Sequence, residues 1–135
     1  MAVINFLDYQ LTGLKYEKNY DFLEREDGNV GYEPVFNYSV VNTDYEKKLY
    51  EVKVSVGINA TEFPFVVSVD LVAQFNFDSE NPDDNFEDFL PNALAIVFPY
   101  LRNAVSQLSL MSNEYSALQF PTVNLYQLIQ QNKNI

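Results

Sequence analysis

The stretch PNALAIVFPYLRNAVSQL, residues 91–108, decides how the rest of the sequence is read. Apolar side chains run almost unbroken from Ala93 to Leu101. At helical spacing Leu94, Val97, Phe98, Leu101, Val105 and Leu108 form one stripe, and Ala93, Ile96, Tyr100 and Ala104 form a second on another side. A helix resting on one sheet needs a single apolar face. Two faces call for cover from beyond the chain's own sheet, which points to an oligomer. Pro99 lies inside the run, where it removes a backbone donor and crowds the preceding turn at a cost of roughly 3 kcal/mol. A kink or a restart is expected there, with the Ala95 carbonyl left to find another partner.

Upstream of residue 78 the period is two, the signature of strands. Val3, Leu7, Tyr9 and Leu11 share one parity, and Leu14, Tyr16, Tyr20 and Phe22 share the other. The phase changes at Thr12-Gly13, where a bulge suits the glycine. After the polar stretch EREDGNVGYEP, read as a loop, VFNYSVV places Phe36, Tyr38 and Val40 on one face. KKLYEVKVSVGI aligns Tyr50, Val52, Val54, Val56 and Ile58, and FPFVVSVDLVAQFNF aligns Phe63, Phe65, Val67, Val69, Leu71, Ala73, Phe75 and Phe77. Only NATE separates these last two runs, so they should pair as a hairpin. The expectation is an antiparallel sheet over residues 3–77, apolar on one side and mixed on the other.

Residues 78–90, DSENPDDNFEDFL, break the pattern. Asp78, Glu80, Asp83 and Asp84 could supply oxygens to calcium, but no glycine stands at the sixth loop position and no bidentate Glu closes a twelve-residue loop. The stretch reads as an acidic linker into a helix over 91–112, with negative charge at the helix start, and no metal site is assigned. Beyond a loop at SNEYSALQFPT, TVNLYQLIQQNKNI reads as a short last helix over 122–131. The fold class is therefore α+β: one domain over 1–135, a four-stranded antiparallel sheet with a long kinked helix and a short C-terminal helix on one face.

The 135 residues hold 19 acidic against 8 basic side chains, a net charge of −11. Between Val54 and Asn132 there are nine carboxylates and one cation, Arg102. Such a chain repels nucleic acid and anionic membranes and favours cationic partners. Eleven Phe and ten Tyr are more aromatics than one core of this size requires, so the surplus should pack between subunits or line a groove. The chain has no cysteine and no histidine, which removes disulfides, thiol nucleophiles, Cys/His zinc sites and the usual neutral-pH base. MAVINFLDYQ lacks a basic region and a long apolar run, so no signal peptide is expected, and a cytoplasmic protein is the default. No phosphate-cradling glycine loop or Gly-x-Ser-x-Gly is present, and Asp70 or the Asp83–Asp84 pair carries no supporting motif. The reading is of a protein that is not an enzyme and needs no cofactor.

PNALAIVFPYLRNAVSQL followed by FPTVNLYQLIQ resembles the bacterial export chaperone family SecB. That family carries an F-P-Y-x-R helix after a P-N start, then a P-V-N segment before a last helix. Here these are Pro91-Asn92, Phe98-Pro99-Tyr100-Leu101-Arg102 and Pro121-Thr122-Val123-Asn124. In the first half Tyr32 precedes Pro34, LYEVKVSV resembles the family's Y-E-V strand, and VSVDLVAQF its following strand with Phe75 in place. The similarity spans roughly residues 4–130.

The resemblance implies a homotetramer, a dimer of dimers with long helices buried between dimer layers, that holds unfolded clients without ATP and passes them to the SecA motor. It implies client grooves lined by Tyr32, Leu125, Leu128 and Ile129, with Phe36, Tyr38 and Phe120 placed beside them by apolar type. Ala93, Ile96, Pro99, Tyr100 and Ala104 fall at the oligomer interface. Ser68 aligns with the family's acidic motor-contact position, with Asp70 two residues on and on the same face. Ser68 in place of an acid, and a terminal QQNKNI without the metal-binding Cys and His of enterobacterial-type members, argue against a classical hand-over to SecA. Some SecB-like proteins instead guard an antitoxin, and that partner stays open beside unfolded polypeptides, as does the role of a phage- or plasmid-borne interaction protein.

Overall fold

The computed structural model describes residues 3–22, 34–44, 46, 48–58, 63–115 and 117–118. Four strands, β1 (Val3–Lys18), β2 (Val35–Asp44), β3 (Leu49–Ile58) and β4 (Phe65–Asp78), form one antiparallel sheet in the order β1-β4-β3-β2. A one-turn 3₁₀ helix (Phe86–Phe89) leads directly into α1 (Leu90–Met111), which lies across one face. The expected last helix over 122–131 and the NATE turn fall outside the described residues.

Alternation decides which sheet face is buried. Every second residue of β4 from Phe65 to Phe77 is buried, and β3 contributes Val52, Val54, Val56 and Ile58 to the same face. The register carries this face across the sheet in rows. Leu14, Val69, Val56 and Phe36 form one row, and Leu11, Leu71, Val54 and Tyr38 the next. α1 closes the core with Leu90, Ala93, Leu94, Val97, Leu101 and Val105, each at most 3% exposed. Burial of β-branched and aliphatic side chains at about 25 cal/mol per Å² supplies the driving force of this two-layer packing.

β1 departs from the period-two expectation in one place. The register shifts at Thr12, where the glycine-flanked phase change is read from the sequence, but also at Leu7. The extra residue at Leu7 makes Ile4 and Phe6, rather than Val3 and Leu7, share the inner face with Tyr9. A single bulged residue reverses the parity of everything before it. Val3 and Leu7 are exposed as a result. The strand also stops at Lys18, so Tyr20 and Phe22 belong to a turn rather than to its alternating face.

The acidic linker is shorter than its composition suggests. Asn85 caps the 3₁₀ turn by accepting from the Glu87 N–H at 3.2 Å. Phe86 is fully buried, with its ring stacked 4.4 Å from Tyr50 and packed on Phe75 and Phe77. α1 then runs without interruption through Pro99, so the restart expected there is absent. Ala95 and Pro99 are both exposed, and the carbonyl deprived of its donor therefore sits on the side of the helix away from the sheet. α1 ends where Asn113 takes a positive φ of 59°. No helix among the described residues is long and apolar enough to cross a membrane.

Candidate functional site

The described ends of three connecting segments leave from one end of the sheet. Asn19 is held there by two bonds to the residues before β4: its N–H donates to the Pro64 carbonyl at 2.9 Å and its side-chain amide to the Phe63 carbonyl at 2.9 Å. Val35, opposite Gly57, starts β2 at the same end. The chain leaving α1 is fixed beside them. Lys18 Nζ donates to Glu114 Oε1 at 3.0 Å, and the Tyr115 ring lies 5.5 Å from Phe65.

Three serines spaced three residues apart, two in the last turns of α1 and one at its C-cap, hold that return. Ser106 Oγ donates to the Leu118 carbonyl at 2.6 Å, and the Leu118 N–H donates to Ser109 Oγ at 2.7 Å. Ser109 Oγ, fully buried, donates in turn to the Ser106 carbonyl. Ser112 Oγ donates to the Ser109 carbonyl and accepts from the Glu114 and Tyr115 N–H groups. Both backbone groups of Leu118 are thus satisfied by side chains, which fixes where the remaining chain begins. In the sequence these residues sit among apolar neighbours and look like fillers in an amphipathic stripe.

Of the groove residues implied by the resemblance, Phe36 and Tyr38 are described; Tyr32, Phe120, Leu125, Leu128 and Ile129 lie outside the described residues. Phe36 and Tyr38 are neighbours on the inner face of β2, and the Phe36 ring lies 6.0 Å from Phe98 of α1. Burial, then the nearby negative charge of Glu87, pushes the Tyr38 phenol above its ordinary pKa. A second aromatic group lines the end of the sheet. Phe63, Phe65, Tyr16 and Tyr115 pack with centroid separations of 4.9 to 5.5 Å. The Tyr16 hydroxyl is buried without a hydrogen-bond partner among the described residues. The sequence showed Phe63 and Phe65 as strand-face positions but gave no sign that Tyr115, in an apparent loop, would join them.

The two residues aligned with the motor contact lie on the opposite, outer face of the sheet. Asp70 is exposed and accepts from Ser55 Oγ at 2.6 Å. Gly13 stands across the strand from it, and a Cβ there would collide with the carboxylate. Ser68 and Asp70 share an open groove of about 320 Å³ whose lining includes Lys15, Val35, Asn37 and Gly57.

The α1 residues expected at an oligomer interface divide. Ala93 and Ala104 are buried against the chain's own sheet, Ile96 is half-buried, and Tyr100 and Pro99 are exposed. Tyr100 leans towards β1, with its ring 4.2 Å from Tyr9 and 6.0 Å from Phe6. Edge strand β1 also carries exposed apolar side chains: Leu11 and Leu14, 42% and 54% exposed, on the same face as Tyr9, and Val3 and Leu7 off that face. Leu11 and Leu14 pair with buried Leu71 and Val69 on the helix side of the sheet, yet α1 does not cover them.

No family model matches the sequence, and no curated protein matches it. Solved structures do. A SecB-like chaperone of Mycobacterium tuberculosis, in complex with a peptide from the HigA1 antitoxin, superposes with a TM-score of 0.70 at 13% identity, covering 89% of this chain and 90% of its own. A protein of unknown function from Streptococcus agalactiae superposes with a TM-score of 0.51 at 11% identity, over 90% of this chain and 99% of its own. The four-stranded antiparallel sheet with a long helix on one face, read from the sequence and found in the structure, is therefore the SecB-like fold, and this chain has it.

Proposed function

We propose that this chain is an ATP-independent holdase chaperone of the cytoplasm, without catalytic activity or cofactor. The observation that carries the reading is the fold likeness to a SecB-like chaperone over nine-tenths of both chains. The client groove of this proposal lies at the sheet end described above. There Phe36 and Tyr38 would join Tyr32 from residues 23–33 and Phe120, Leu125, Leu128 and Ile129 from the C-terminal segment. Burying apolar segments of a client at about 25 cal/mol per Å² needs no nucleotide.

The assembly we propose is a tetramer, a dimer of dimers built on α1 and edge strand β1. Two features support it. α1 carries a single charge, Arg102, in 22 residues of a chain whose net charge is −11. Beside it the exposed Leu11 and Leu14 lie on a strand edge that pairs with no other strand among the described residues, an edge that soluble chains otherwise protect. Ile96, Pro99 and Tyr100 face outward from α1 towards this second copy, with Ala93 and Ala104 behind them. Multiple grooves on one particle raise the effective concentration along an unfolded client.

A dedicated role is the second reading, because the M. tuberculosis neighbour is bound to an antitoxin peptide. In this reading the partner is one antitoxin rather than many clients. Delivery to SecA through the outer-face groove at Ser68 and Asp70 would be a further step of the first reading. The deciding experiment is suppression of aggregation of several chemically unfolded proteins, with mass measured by light scattering. Suppression across clients by a tetramer without nucleotide is the expected result. Failure on every client with the tetramer intact would refute the general holdase, and capture of one antitoxin alone would establish the dedicated role.

A further inference from the structure

At the other end of the sheet, away from the proposed client groove, Asn42 of β2, Lys48 just before β3 and the start of the acidic linker line an open pocket of about 400 Å³. Tyr50 and Phe77 line it as a floor. That floor is fixed: Tyr50 stacks on Phe86 at 4.4 Å and 7°, and Phe77 meets both Tyr50 and Phe86 edge-on. The walls are fixed too. The Phe77 N–H donates to the Lys48 carbonyl at 2.9 Å, tying the turn to β4. Ser79 Oγ donates to the Asp84 carboxylate and accepts from the Asn81 N–H at 3.2 Å, which holds the linker upright as the second wall.

The rim is electrostatically unbalanced. Lys48 Nζ donates to the Ser79 carbonyl at 3.3 Å and makes no ion pair among the described residues. Glu80 is exposed at the mouth, likewise without an ion pair among the described residues. With Asp84 beside it the lining carries two carboxylates against one ammonium, and residues 78–88 add four more acids and no cation. An aromatic floor under a carboxylate rim suits a planar cation on an apolar stem. Guanidinium can lie over the rings and direct its fork of donors to a carboxylate, whereas an ammonium presents a compact, strongly hydrated point charge.

We propose that this pocket binds the arginine side chain of an extended peptide segment. The stem would lie along Tyr50 above the buried Phe77, and the guanidinium would pair with Glu80, with the nearby Lys48 ammonium opposing it. The proposal rests on the chaperone reading only for the presence of a peptide, and gives that reading a second contact point at the far end of the sheet. Because floor and walls are held by their own contacts, little ordering would accompany binding.

The test is an NMR titration of the full chain with three blocked tripeptides, Ala-Arg-Ala, Ala-norleucine-Ala and Ala-Glu-Ala. Shifts of the Lys48, Tyr50 and Glu80 amides with the arginine peptide alone are expected. Glu80→Gln should weaken it by about 1.5-fold to fivefold, the range of one exposed ion pair. Lys48→Gly should strengthen it by a similar factor. The φ of 56° at Lys48 suits glycine, so this variant removes the nearby cation that repels the guanidinium without straining the backbone there. Equal shifts with norleucine or glutamate, shifts confined to other residues, or an unchanged affinity in Glu80→Gln would overturn the proposal. Arginine binding with no suppression of aggregation would refute the holdase and leave the pocket standing; suppression without arginine binding would do the reverse.

Discussion

The Tyr100 ring stacks on Tyr9 with centroids 4.2 Å apart and planes 25° from parallel, joining the outer side of α1 to edge strand β1. This contact links the two surfaces proposed to meet a second copy, since Tyr100 stays 37% exposed and the bare leucines of β1 lie alongside. An offset aromatic pair is worth about 1 kcal/mol beyond its buried area.

A double-mutant cycle on Tyr9→Leu and Tyr100→Leu, read by urea denaturation at low protein concentration, should therefore give a coupling of about 1 kcal/mol. Tyr100→Leu alone should also lower the mass seen by light scattering. A coupling near zero would mean the rings are neighbours without mutual stabilisation.

The inner sheet face was legible because β3 and β4 keep strict alternation, so Val52 to Ile58 and Phe65 to Phe77 identify themselves. β1 was legible only after Leu7, since an unpaired residue leaves no compositional mark and the glycine that betrays the second bulge has no counterpart at the first. Phe86 was hidden among Asp and Glu, although its burial follows once Tyr50 is seen to offer a ring face. The helix stripe Leu94, Val97, Leu101 and Val105 was read correctly, while Ala93 and Ala104 proved small enough to fit against the chain's own sheet. The site was harder to read. The residues proposed for the groove come from segments distant in sequence, and the serines that pin Leu118 are ordinary residues of a helix end until the return of the chain is known.

Pro99 leaves the Ala95 carbonyl without its usual donor on the exposed side of α1. Pro99→Ala restores that bond and should stabilise the isolated protomer by about 1–3 kcal/mol. If the outer side of α1 packs on a second copy, the same change should shift the concentration at which the assembly dissociates. Sedimentation across a dilution series, beside urea curves, separates the two effects. A more stable protomer with unaltered assembly would remove Pro99 from the interface.

Ser109 is buried and serves twice, donating to the Ser106 carbonyl and accepting from the Leu118 N–H. Ser109→Ala leaves that N–H without its acceptor, which costs about 1–3 kcal/mol when the donor stays buried. The expected outcome is faster amide exchange at Leu118 than at residues of β4, with a smaller loss for Ser106→Ala. Client holding should weaken in parallel, because the segment carrying Phe120 and Leu125 starts from this anchor. Normal exchange at Leu118 in Ser109→Ala would mean that contacts beyond the serines fix the return.

Gly13 faces Asp70 so closely that any Cβ would strike the carboxylate, and Asp70 is in turn held by Ser55 Oγ at 2.6 Å. Gly13→Ala must therefore displace the carboxylate and break that bond, a loss of about 1–2 kcal/mol for a charge-assisted contact near the surface. Asp70→Ala removes the obstacle, so Gly13→Ala in the Asp70→Ala background should cost less than Gly13→Ala alone. The comparison isolates the steric part of the effect from any strand preference for alanine. It also bears on the outer groove: binding by a cationic partner through Asp70 should fall in Gly13→Ala as it does in Asp70→Ala. Equal costs of Gly13→Ala in both backgrounds would show that the backbone at the bulge, and not the carboxylate, requires glycine.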